Sequence, residues 1–102
     1  MACHKIFEAL GDPTRLEIVE RLSANGPMPT VELVSDLGMT RQAATKHLQV
    51  LENSGIVRSE TKGRVILRMV EPAAMREAQD WMDRHAQRWS KRLDALATYL
   101  DG

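Results

Sequence analysis

The fold of this chain is decided by residues 40–52, which read TRQAATKHLQVLE. Apolar side chains recur there at helical spacing, at Ala44, Leu48 and Leu51. This periodicity predicts an amphipathic helix with one buried face. Thr40 can cap the start of that helix, and Gly38 can end a shorter helix just before it. A short helix, a glycine-containing turn and a capped second helix together predict a helix-turn-helix.

Toward the N-terminus, the pattern predicts two further helices before this pair. The first covers residues 6–10 and ends at Gly11, because glycine readily adopts the conformation that ends a helix. The second begins with Asp12 as N-cap and Pro13 at the first helical position. Thr30 is predicted to cap the third helix, which is the first helix of the helix-turn-helix pair.

Toward the C-terminus, the periodicity changes at Ile56 from helical to alternating. Two alternating stretches flank the turn at residues 61–64, TKGR, and predict a β-hairpin with a basic tip. A long helix is predicted over residues 73–100. The predicted fold is therefore mainly α with a small β-hairpin, in the order α-α-α-α-β-β-α. This order is that of a winged helix-turn-helix, and we expect residues 1–102 to form one such domain.

Charge is unevenly distributed along the chain, although the formal net charge is zero. Residues 40–70 carry six basic and only two acidic side chains, so the segment that holds the second helix of the pair and the hairpin has a net charge of +4. A basic centre between acidic flanks is typical of a DNA-binding face on a neutral protein. The distribution therefore favours a nucleic-acid partner that the net charge alone would not suggest.

Composition argues against several other classes of protein. The one thiol, Cys3, cannot form an intramolecular disulfide, as expected in a reducing compartment. The sequence contains neither an apolar run of about 20 residues nor a signal-peptide pattern, so we expect a cytoplasmic protein that does not enter a membrane. The sequence has no nucleophile elbow, phosphate-binding loop or HExxH motif, so we do not expect an enzyme.

Two stretches resemble a known family when they are taken together. Residues 6–16, IFEALGDPTRL, are similar to the N-terminal signature of the ArsR/SmtB repressors, and residues 40–52 are similar to that family's recognition helix. Residues 55–57, GIV, and the Gly63-Arg64 turn continue the likeness. The resemblance implies a homodimeric repressor that occupies a pseudo-palindromic operator and leaves it when a signal arrives.

Exposed polar residues at the start of a recognition helix are expected to read DNA. The predicted DNA-binding residues are Thr40, Arg41, Gln42, Thr45, Lys46, Arg58, Lys62 and Arg64. Gln42 can pair with an adenine edge and Arg41 with guanine or a phosphate, whereas Lys62 and Arg64 at the hairpin tip suit phosphates or the minor groove. Arg68, further along the hairpin, is expected to support the same basic surface.

The long C-terminal helix carries an apolar stripe with a spacing close to three and four residues. The residues predicted to pair two subunits are Met75, Ala78, Met82, Trp89, Leu93, Leu96 and Leu100. A helix of roughly 42 Å is longer than a domain of this size can cover from within. We therefore expect a homodimer that places two recognition helices about one DNA turn apart.

The family resemblance suggests metal sensing, but the sequence lacks the residues that would bind the metal. Family members that sense soft metals carry cysteines before the turn, where residues 31–37 read VELVSDL. Asp83-Arg84-His85 resembles half of the family's zinc motif, but Leu96 and Tyr99 stand where the other half would be. We therefore predict no metal and no cofactor. Two alternatives stay open, a metal- or thiol-responsive sensor that uses Cys3, His4 and His85, and an interaction module that has lost DNA binding.

Overall fold

The computed structural model describes residues 3–101, which form five helices and three short strands. In chain order the elements are α1 Cys3–Leu10, α2 Pro13–Asn25, β1 Met28–Pro29, α3 Thr30–Leu37, α4 Arg41–Asn53, β2 Val57–Lys62, β3 Val65–Val70 and α5 Pro72–Asp101. This order confirms the predicted winged helix-turn-helix and adds one strand, β1. The sequence pattern missed β1 because two residues are too few to show any alternation.

The helix starts follow from local side-chain chemistry. The carboxylate of Asp12 accepts hydrogen bonds from the backbone N–H groups of Thr14 and Arg15, at 2.9 and 3.0 Å, and so caps α2. The hydroxyl of Thr40 accepts the N–H of Ala43 at 3.2 Å and caps α4. The predicted cap at Thr30 is wrong. Its hydroxyl donates instead to a carbonyl oxygen of β3, and α3 begins without a side-chain cap.

The three strands form one antiparallel sheet in the order β1-β3-β2. In the hairpin, Val57 faces Val70 at the base and Lys62 faces Val65 at the tip. Gly63 in the turn has a φ of +63°, which glycine adopts without strain. Met28 pairs with Arg68 and ties the segment between α2 and α3 to the outer edge of β3. The hairpin is therefore held along its base and free at its tip.

The core lies where α1, α2, α3 and α4 meet the base of the hairpin and the start of α5. Its largest fully buried side chains are Ile6, Ile18, Leu22, Leu33, Leu48, Leu51 and Ile56. The last three lie on or next to the inner face of α4. Burial of that face fixes which side of α4 points outward.

Only the start of α5 belongs to this core. Ala74 and Ala78 are buried, whereas the side chains of residues 86–101 are exposed along the rest of the helix. Ala78, which was predicted to lie between subunits, is 8% exposed and packs in the core of its own chain, so little of its surface is left for a partner. In residues 3–101, no helix is long and apolar enough to cross a membrane.

Candidate nucleic-acid interface

The first turns of α4 present all five of the residues predicted there on one surface. They are exposed and comprise Thr40, Arg41, Gln42, Thr45 and Lys46. Ala44 and Leu48, both at most 1% exposed, hold the opposite face of the helix in the core. The hydroxyl of Thr45 donates to the carbonyl oxygen of Arg41 at 2.7 Å, so it is partly engaged by its own helix. The longer side chains of Arg41, Gln42 and Lys46 project into solvent.

The tip of the wing, the β2–β3 hairpin, presents a second basic surface. Lys62 and Arg64 are both exposed and flank Gly63 in the turn. Among residues 3–101, neither has a carboxylate oxygen within 4.0 Å. Their charges are therefore available to an anionic partner.

A groove runs between the wing and the helix-turn-helix. Thr30, Arg41 and Thr45 line it on the helical side, and Arg64 and Ile66 line it on the strand side. The structure thus brings the start of α4 and the wing onto one face of the molecule. A curved polyanion can contact both elements at once only with such an arrangement.

Arg58 is less available for a phosphate contact than the prediction requires. Its side chain is 56% exposed, but its guanidinium lies 3.7 Å from the carboxylate of Glu60 and 3.7 Å from that of Glu71. These two carboxylates offset its positive charge. Arg58 is therefore a weaker candidate for a phosphate contact than Lys62 or Arg64.

A polar cluster behind α4 connects it to the start of α2. The guanidinium of Arg15 donates through Nε to the carbonyl oxygen of Ala9 at 2.6 Å, and its Nη1 lies 3.5 Å from Nδ1 of His47. Asp12 Oδ2 lies 3.8 Å from the same imidazole nitrogen. The backbone N–H of Arg15, followed by the charges of Arg15 and His47, lowers the pKa of Asp12 below its ordinary value. The half-buried His47 thus faces the protein and lies away from the exposed surface of α4.

The sequence pattern missed the contacts of Arg68. Its guanidinium donates to Thr30 Oγ1 and Ser59 Oγ, at 2.9 Å each, and forms an ion pair with Glu52. The Arg68 side chain is 13% exposed, whereas both cations at the wing tip are exposed. Arg68 therefore lines the groove beside Arg64, but its charge is paired with Glu52, so it adds less to the basic surface than expected. Its partners Thr30, Glu52 and Ser59 lie on three other elements, so the sequence pattern carried no signal for these contacts.

Two of the three residues of the sensor alternative, Cys3 and His85, have partners within the chain, and His4 is exposed. Cys3 is buried, and its thiol donates to the carbonyl oxygen of Glu77 at 3.8 Å. The ring of His85 stacks on Trp81 with centroids 3.9 Å apart, and its Nδ1 lies 2.8 Å from the Trp81 carbonyl oxygen. Residues 3–101 of one chain hold no group of three or more His, Cys, Asp or Glu side chains that could bind a metal ion.

Comparisons with known proteins agree with this geometry. A helix-turn-helix domain family matches residues 10–60, which is half of the chain. The HTH-type transcriptional regulator YuzN of Bacillus subtilis is 45% identical over 75 residues, covering 66% of this chain and 82% of YuzN. An ArsR-like transcriptional regulator from Rhodococcus sp. RHA1 superposes with a TM-score of 0.83 at 31% identity, covering 95% of this chain and 91% of that structure.

The homodimeric winged helix-turn-helix DNA-binding domain Mb0332 from Mycobacterium bovis shares the fold, with a TM-score of 0.68. It is 21% identical, and the match covers 84% of this chain and 80% of that domain. The matched family lies over the helix-turn-helix and the first strand of the wing, and the Rhodococcus structure extends the likeness to nearly the whole chain. This chain therefore belongs to the ArsR family of winged helix-turn-helix, DNA-binding transcriptional regulators.

Proposed function

We propose that this chain is a homodimeric repressor that binds a pseudo-palindromic operator without a metal or another cofactor. One observation carries the proposal: Arg41 and Thr45 at the capped start of α4 and Arg64 at the wing tip line one groove. Thr40 and the four exposed residues in the first turns of α4 would lie at the major groove, while Lys62 and Arg64 would contact the neighbouring phosphates or the minor groove. Residues 1–102 would act as one domain, in the cytoplasm and without enzymatic activity.

Within α4, we assign different roles to different side chains. Gln42 would read an adenine edge through its two-point amide, and Arg41 would read guanine or hold a phosphate. Thr40, Thr45 and Lys46 would contact the DNA backbone and fix the position of the helix. Arg58 would contribute least, because Glu60 and Glu71 already lie near its guanidinium.

The homodimer would form through the apolar stripe of α5. That stripe leaves Trp89 62% exposed, Leu93 57% exposed and Leu100 72% exposed, an unusual amount of apolar surface for a small monomer. Met75 lies partly buried at the edge of the core, so the intersubunit surface would consist mainly of Met82, Trp89, Leu93, Leu96 and Leu100. The homodimeric state of the Mb0332 domain supports the same assembly.

Selection of bound duplexes from a random pool tests the proposal. The wild-type protein should enrich a sequence with two-fold symmetry and half-sites about one helical turn apart. Gln42→Ala should change the preferred base at one position in each half-site. Gln49→Ala is the matched control, because Gln49 is also an exposed glutamine of α4 but lies two turns further along. Failure to enrich any sequence in dilute salt would refute the proposal, and equal preferences for Gln42→Ala and wild type would refute the role of Gln42.

A further inference from the structure

One guanidinium joins four elements beside the groove. Arg68 on β3 donates through Nε to the hydroxyl of Thr30, the first residue of α3, and through Nη1 to the hydroxyl of Ser59 on β2. The same Nη1 pairs with the carboxylate of Glu52 in the last turn of α4, and Ser59 also donates to that carboxylate. Thr30 donates in turn to the carbonyl oxygen of Ile66 at 3.1 Å. We call these four side chains, Thr30, Glu52, Ser59 and Arg68, the Arg68 cluster.

Burial separates this cluster from the DNA-facing cations. The Arg68 side chain is 13% exposed and that of Glu52 is 34% exposed, so both charges are partly withdrawn from water. Two of the three guanidinium nitrogens of Arg68 already donate to protein oxygens. A partly buried charge is costly to leave without its partner, so these groups favour the one geometry in which all the contacts form.

The position of the cluster lets it orient the wing. Ser59 and Arg68 are opposite each other in the hairpin register, so the cluster holds a cross-strand pair, here called the rung, and therefore both strands of the wing. That rung lies three residues from Lys62 at the tip, about 10 Å along the strand. A small rotation at the rung therefore displaces the tip cations relative to the start of α4.

We propose that the Arg68 cluster sets the angle between the wing and the recognition helix, so that Arg68 and Glu52 are positioning residues for DNA binding. This inference rests on the proposed function. It assigns Arg68 a role other than phosphate contact, and it gives an acidic residue near a DNA-binding face a favourable effect on binding. Both consequences oppose what net charge alone would predict.

Substitution of Glu52 tests whether loss of this negative charge strengthens or weakens DNA binding. If only charge mattered, Glu52→Gln would strengthen DNA binding, because it removes a negative charge from the protein. If the cluster positions the wing, Glu52→Gln should weaken operator binding by about tenfold, which corresponds to about 1.4 kcal/mol. Glu60→Gln is the control for the loss of charge, because Glu60 is an exposed carboxylate on the wing and lies outside the cluster. It should bind the operator at least as tightly as wild type.

Substitution of Arg68 provides a second test, in which operator affinity should change while its salt dependence does not. Arg68→Lys keeps the charge but cannot form the same set of hydrogen bonds, so it should weaken operator binding while the slope of log K against log salt stays unchanged. Wild-type affinity in Arg68→Lys would show that charge alone matters. A flatter slope in Arg68→Gln would identify Arg68 as a phosphate contact. Either result overturns the proposal.

Circular dichroism at the binding temperature verifies that each variant is folded before its affinity is compared. Glu52→Gln replaces an atom without changing side-chain size, so it keeps the test valid even if an Arg68 variant unfolds. A wild-type protein that binds no duplex would refute the proposed function itself. A wild-type protein that binds, together with a Glu52→Gln variant that binds equally well or more tightly, would refute only the positioning role.

Discussion

The basic side chains of the wing fall into two groups, those without a carboxylate partner and those that lie beside carboxylates. Lys62 and Arg64 have no carboxylate partner among residues 3–101, whereas Arg58 and Arg68 lie beside carboxylates. All four are basic residues of one hairpin, so the sequence predicts their charge but not this division. The partners of Arg68 come from α3, α4 and β2, and only the folded chain brings them together.

Replacement of Lys62 by alanine should weaken binding to all duplexes about equally, because a phosphate contact carries no base preference. The slope of log K against log salt should be about −5 for the wild-type dimer and should flatten by about 0.9 for each phosphate that the variant no longer neutralises. Fluorescence anisotropy over a salt series measures both quantities. Lys91→Ala on α5 is the control and should leave the slope unchanged. A slope for Lys62→Ala equal to that of wild type would exclude the phosphate contact.

Asp12 should make folding stability depend on pH at the acidic end. The backbone N–H of Arg15, followed by the nearby positive charges, lowers the pKa of Asp12 in the folded state below 3.8, so the unfolded chain takes up the proton first. The stabilisation is therefore present above the unfolded pKa and is lost as pH falls through the folded pKa. Asp12→Asn should lower the urea midpoint at pH 7, and the difference from wild type should shrink toward pH 3. A difference that is constant over this range would contradict the assignment.

Among the elements, those with strong end signals were predicted correctly. Asp12, Thr40 and Gly38 mark helix ends through short-range hydrogen bonds and backbone conformation, which depend on neighbouring residues alone. Thr30 carried the same signal as Thr40, but it is the first residue inside α3, and its hydroxyl oxygen accepts Nε–H of Arg68 instead of a helix N–H. Ala78 fits the apolar stripe of α5, but it packs in the core of its own chain. Both side chains are engaged by tertiary contacts, which periodicity does not encode.

The turn of the helix-turn-helix depends on the backbone of Gly38. Its φ is +64°, and a Cβ added there would meet nothing within 4 Å, so the cost of a side chain is conformational and not steric crowding by neighbours. Gly38→Ala should lower the free energy of unfolding by about 1 kcal/mol. Gly38→Asn should cost less, because asparagine tolerates this region better than alanine does. Urea denaturation measures both variants, and an unchanged midpoint for Gly38→Ala would contradict the turn geometry.

At the scale of the whole molecule, α5 controls both shape and assembly. The chain measures 67 × 24 × 21 Å, because about half of the 30-residue α5 extends beyond the core. An exposed apolar helix of this length is poorly stabilised by a single chain in water. A second copy would cover it and hold two recognition helices in a fixed relation.

Leu93→Glu should separate the proposed dimer, because it buries a charge in an apolar interface. Sedimentation velocity should show a monomer at micromolar concentration, and operator affinity should fall by at least tenfold because one half-site is then bound at a time. Gln87→Glu is the matched control, because it adds the same charge to an exposed residue off the stripe. A dimeric Leu93→Glu variant would place the interface elsewhere.

The buried thiol near the start of the chain has a further consequence. Cys3 is the only cysteine, and its sulfur lies against the backbone of Glu77 where α1 meets α5. A thiol reagent reaches that sulfur only after the start of α1 opens locally, so the rate of chemical labelling reports how often this end of the helix opens. If α5 joins two subunits, the labelling rate of Cys3 measures local opening next to the subunit interface, and no engineered cysteine is needed.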